Sequence, residues 1–192
     1  MKTAACTLLS SILMVGAVHA QQPAPAPPPA AEEKSETKLG AFLATKGRML
    51  LKDFYALGQV GTVTFDAVVI SEPGRETSKI RGLRVEISET GRFAKSHTSF
   101  LDAEEAESLL VALAYMQKLG AEWLAAGGRV PYSEVSFTTK GDFEIGFYYK
   151  NGKLGVVTSS GKIGKAAAFL DMSDLPKIAA IIQQGLTKLR ES

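Results

Sequence analysis

The chain reads as an α+β protein built from two consecutive strand-strand-strand-strand-helix units. Three observations predict this. Apolar and polar residues alternate in a series of short runs bounded by turn residues, the signature of half-buried strands. Two stretches switch to a 3.6-residue apolar period. The order of elements then repeats: Phe100-Leu101-Asp102 and Phe169-Leu170-Asp171 stand 69 residues apart, each just ahead of an amphipathic helix.

The first unit covers about 48–126. Residues 48–60 are the least clear, because Leu50, Leu51, Phe54 and Leu57 have helical spacing while Gly58, Gly61 and the pair Phe54-Tyr55 favour a strand. We read a strand. Val63, Phe65, Ala67 and Val69 alternate with polar neighbours over 62–70, and Glu72-Pro73-Gly74 supplies turn chemistry. Leu83, Val85 and Ile87 define a strand over 79–89, and 93–101 a fourth. Asp102, followed three residues later by Glu105, is an N-terminal cap signal. Ala106, Leu109, Leu110, Leu113, Met116 and Gly120 form one stripe, so a helix runs to about 125 and stops at Gly127-Gly128.

The second unit covers about 132–190. Val135 and Phe137 mark a strand over 134–139, and Phe143, Ile145, Phe147 and Tyr149 share one face of the next. Asn151-Gly152 tolerates the positive φ of a type I′ hairpin turn. The return strand is 153–158, followed by a loop over 159–165 and a strand over 166–170. Leu175, Ile178, Ala179, Ile182, Leu186 and Leu189 form the final stripe. Pro176 is tolerated only in a first helical turn, which predicts a cap at Ser173.

Ahead of these units lies an address. Lys2, an apolar run over 8–18 and Val18-His19-Ala20 read as a secretory signal peptide over 1–20, too short for a bilayer span of ~20 apolar residues. Residues 21–38 begin QQPAPAPPPAA, a Pro/Ala spacer that favours extended polyproline II and cannot build a core. A single globular domain is expected over 39–192. The expected location is periplasmic or extracellular, in a bacterial style.

The whole chain has 22 basic and 20 acidic residues, one cysteine and two histidines. Removal of the leader would take Lys2, Cys6 and His19 with it. That leaves His97 as the one imidazole and a net charge of +1. Thiol nucleophiles, disulfides and thiolate metal sites are thereby excluded from the mature chain, and no metal, cofactor or catalytic set is expected.

The individual motifs point the same way. His97 with Asp102 and Ser99 or Ser159 would be needed for serine chemistry, and no G-x-S-x-G elbow accompanies them. The segment 159–165 (SSGKIGK) lacks the glycine spacing and trailing hydroxyl of a phosphate loop, though Lys162, Lys165 and its amides suit an anion. Asp102, Glu104, Glu105 and Glu107 complement a helix N-terminus. Lys79, Arg81, Arg84, Arg92 and Lys95 give the third and fourth strands a basic character, and Phe143, Tyr148 and Tyr149 offer rings that would stack bases.

The tandem order of elements resembles that of the PUR and Whirly families of single-strand nucleic-acid-binding proteins. The likeness covers element order over about 150 residues and no motif, so it implies no site residues. It does imply single-strand binding as one alternative function, against which the near-neutral charge and the leader both stand. The expected function is a non-catalytic binding or interaction domain of the envelope, engaging a protein or small ligand. Its surface would draw on Tyr148, Asn151, Lys162 and Lys165, with Arg81 and Arg84. An apolar cavity between sheet and helices would make it a lipid carrier. A hydrolase-like enzyme without His or Cys chemistry is a further alternative.

Overall fold

The computed structural model describes residues 37–127 and 131–192. The expected signal peptide, nearly all of the expected spacer, and Gly128 lie outside the described residues. The chain order is α1 (Lys38–Ala44), β1 (Leu51–Val60), β2 (Val63–Glu72), β3 (Arg75–Ser88), β4 (Ser96–Asp102), α2 (Ala103–Ala125), β5 (Tyr132–Thr138), β6 (Phe143–Lys150), β7 (Lys153–Ser160), β8 (Ala166–Leu170), a 3-10 turn (Met172–Asp174) and α3 (Leu175–Glu191). Strands β1-β2-β3-β4 form one antiparallel sheet and β5-β6-β7-β8 a second. The fold is α+β, with the four-strands-then-helix order present twice.

One face of each sheet is apolar because apolar residues recur at every second position of its central strands. Val63, Phe65, Ala67, Leu83, Val85 and Ile87 are buried on the first sheet, and Phe143, Ile145, Phe147, Tyr149 and Val156 on the second. The helices that cover these faces are exchanged between the halves. Helix α3 follows the second sheet but packs on β1, β2 and β3 of the first. Helix α2 follows the first sheet yet reaches β5, β6 and β7 as well as β3 and β4, and sets Trp123 edge-on against Phe147 at 5.0 Å. Gly185 allows α3 to come close, since a Cβ there would stand 2.7 Å from side-chain carbons of Leu57 and Leu83. A buried hydrogen bond between the hydroxyls of Ser99 and Ser160, 2.7 Å, stitches β4 to β7 where the sheets meet.

Four local expectations need correction. A short helix, α1, lies where none was expected, on the outer face of the first sheet. Its Leu39 packs with Val68 and Ile70, and Thr37 Oγ1 accepts a hydrogen bond from the Gly40 amide. Thr37 and Lys38, assigned to the spacer, are therefore cap and first turn of a helix. Strand β4 begins at Ser96 and not at 93, because Phe93 is 82% exposed in a loop. Ser159 and Ser160 belong to β7, which shortens the expected loop to 161–165. Asp171, paired with Asp174, caps a 3-10 turn, and the residue that precedes α3 as its N-cap is Asp174, not Ser173. A 3-10 turn intervenes, so the α-helix starts afresh at Leu175 and Pro176 falls in its first turn.

The exchange of helices makes the halves interdependent. A fragment of residues 37–127 is expected to show no cooperative urea transition, and mixing with 131–192 to restore one. Gly185→Val should lower stability by about 1–3 kcal/mol, read as a shifted urea midpoint at unchanged m-value.

Candidate functional site

Most of the polar residues singled out in the sequence are engaged in holding the fold. Asp102 is 7% exposed, and its carboxylate accepts hydrogen bonds from the amides of Lys38 (2.7 Å) and Leu39 (3.1 Å). It thus caps α1, 63 residues away in sequence, while its own amide donates to Glu105. Glu105 also accepts from the Lys140 amide, Glu104 pairs with Lys38, and Glu107 with Arg190. Lys38 holds the Glu104 carboxyl below its ordinary range through their hydrogen bond.

No serine triad is assembled. His97 and Ser99 lie on one face of β4, and strand alternation puts Asp102 on the other. His97 rests against Gly161, whose missing side chain leaves room for the imidazole. Among the described residues no group of three or more His, Cys, Asp or Glu side chains could hold a metal ion. No described helix is long and apolar enough to cross a membrane.

The residues expected to form one surface are spread over several. Tyr148 lies on the outer face of the second sheet, stacked on Tyr132 with centroids 6.5 Å apart and lying over Gly155. Asn151 and Gly152, with φ of 50° and 81°, make the β6–β7 turn. The 161–165 loop with Lys162 and Lys165 instead links β7 to β8, at the opposite end of β7 from that turn. Eight residues of β6 put it about 25 Å from the turn. Lys165 pairs with Glu144 at 3.0 Å. Arg84 and Arg81 occupy opposite faces of β3. Arg84 donates to Asp66 (2.8 and 2.9 Å) and lies 5.0 Å over the Phe54 ring, and Arg81 shares the face of Leu83. Phe143 and Tyr149 point into the core, so of the three rings considered for stacking only Tyr148 faces outward.

One open surface was missed in the sequence. It is a trough of about 610 Å³ between edge strand β1 and helix α3, lined by Tyr55, Ala56, Leu57, Gln184, Thr187, Lys188 and Glu191. Strand β1 pairs only with β2 in its sheet and is exposed along nearly its whole length, with Leu51 and Phe54 each 47% and Tyr55 36% exposed. Lys188 Nζ lies 4.9 Å from the Tyr55 ring centroid, a cation–π contact forming the floor of the trough. A bulge between Ala56 and Gly58 twists the strand's far end away. The signal for this site was present in the sequence as the failure of 48–60 to alternate. A strand with apolar side chains on both faces, neither fully covered, belongs at an edge.

No protein-family model matches the chain, and no curated protein matches it in sequence.

The Glu144–Lys165 pair gives a pH signature for the second sheet's outer face. The hydrogen bond from Lys165 lowers the Glu144 carboxyl below its ordinary 4.5, against an opposing effect of partial burial. Its stabilising contribution is complete above pH 4.5 and is lost as pH falls through the depressed folded value. Lys165→Met should therefore move the Glu144 titration midpoint upward by NMR, and its stability deficit should shrink in acid.

Proposed function

We propose that the chain is an exported, non-catalytic binding domain of the bacterial envelope, and that it holds an extended polypeptide segment along β1 by strand addition. The leader-like sequence of 1–20 and the Pro/Ala spacer support the location. One observation carries the mode of binding. A ten-residue strand lies at a sheet edge beside a trough whose other wall is a helix. A segment laid against β1 would gain main-chain hydrogen bonds, and its inward side chains would enter the trough beside Tyr55, Thr187 and Lys188. The other polar clusters support this choice indirectly, since Asp102, Glu105 and Arg84 already serve structural partners.

Selection of displayed peptides against the chain should enrich extended sequences with apolar side chains at every second position. N-methylation of alternate amides in an enriched peptide should abolish binding, and the amides of residues 52–57 should gain protection from hydrogen exchange. Binding that is indifferent to N-methylation, or protection confined to other strands, would sink strand addition.

A further inference from the structure

The edges of the two sheets are treated unequally. On β8 the Ala167 amide donates to the Glu89 carboxylate at 3.0 Å, so a side chain occupies that edge. On β1, among the described residues, no side chain from another element bonds to the backbone. Exposed edges of this kind are ordinarily blunted or paired, because their free amides and carbonyls template another strand.

We propose that the segment paired with β1 is β1 of a second copy of this chain, antiparallel about a two-fold axis at Phe54. This rests on strand addition as the mode of binding and names the partner. An isologous contact of this kind places each residue opposite one on the same sheet face. Phe54 faces the partner's Phe54, Lys52 the partner's Ala56, Asp53 the partner's Tyr55, and Leu51 the partner's Leu57. The pairing uses the straight part of β1 and ends where the bulge between Ala56 and Gly58 turns the strand away.

Charge selects this register. Asp53 and Lys188 each lack an ion-pair partner among the described residues. Facing the partner's Tyr55 brings Asp53 to the ring over which the partner's Lys188 already sits at 4.9 Å. The two-fold makes this contact twice. A register centred one residue earlier would instead set Asp53 against its own copy, a like-charge pair.

The contact is small. Seven residues span about 23 Å, and one sheet layer plus one helix layer is ~20 Å deep. That gives about 900 Å² in total, at the low end for specific association. A reversible dimer of micromolar affinity is expected.

Sedimentation velocity on the chain from about 1 to about 300 µM should show a monomer–dimer equilibrium. Asp53→Lys and Lys188→Asp should each weaken it ~10-fold or more, and the double variant should regain most of the loss. Circular dichroism and Tm provide the folding control, since Asp53 is exposed and Lys188 lies at the trough. A synthetic peptide of residues 49–57 should compete. A monomer throughout the series, a dimer unmoved by either charge reversal, or a double variant no better than the singles would each overturn self-pairing. A monomer that still binds selected peptides along β1 overturns this proposal and leaves strand addition standing. A monomer that binds no peptide there removes both.

Discussion

Each sheet in this protein depends on a helix that belongs to the other half. A four-stranded antiparallel sheet with one apolar face cannot persist in water without cover, and here the cover is supplied crosswise. Helix α3 closes the first sheet through Ile178, Ile182, Leu186 and Leu189, while α2 carries Trp123 onto Phe147 of the second. The result is one main core reaching from Val60 to Leu189. The close approach of α3 at Gly185 and the Ser99–Ser160 bond where the sheets meet follow from that one arrangement. The β1 edge follows as well. Because α3 lies across β1, β2 and β3, it walls the trough while most of β1 stays exposed.

The parts of the fold that were legible in the sequence are those where burial is one-sided. In β6, Phe143, Ile145, Phe147 and Tyr149 are all buried, and their alternation is plain. Helix α2 runs over Ala103–Ala125, as its stripe and cap indicate. The less legible parts depend on partners remote in sequence. Helix α1 has seven residues with Leu39 alone buried, and its first amides are satisfied by a carboxylate from β4. The Thr37 cap is its one local signal. Pro176 alone points to a cap at Ser173, whereas the 3-10 turn capped by Asp171 carries the chain on to Asp174 and still leaves Pro176 in the first turn of α3.

The candidate site shows the same division. Arg84 looked like part of a basic stripe, but Asp66 stands opposite it on β2 and Phe54 lies beneath its guanidinium. Its charge is used to build the outer face of the sheet. The acidic cluster at the start of α2 is likewise distributed among Lys38, Lys140 and Arg190. Several of the described charges join elements, so composition was a poor guide to the free surface. Backbone left open at an edge has no compositional signature at all. The irregular pattern of 48–60 hints at an edge, and the sheet order, with β1 outermost, identifies it.

Asp102 gives the fold a mechanical grading. Helix α1 is joined to the body by two amide–carboxylate bonds, the Lys38–Glu104 pair and the small cluster around Leu39. Tension applied through the chain ahead of Thr37 would load these few contacts in series, before any sheet hydrogen bond is strained. The helix would peel away at low force and could redock once the load was released. The element least legible in the sequence would thus act as a fuse protecting the sheets behind it.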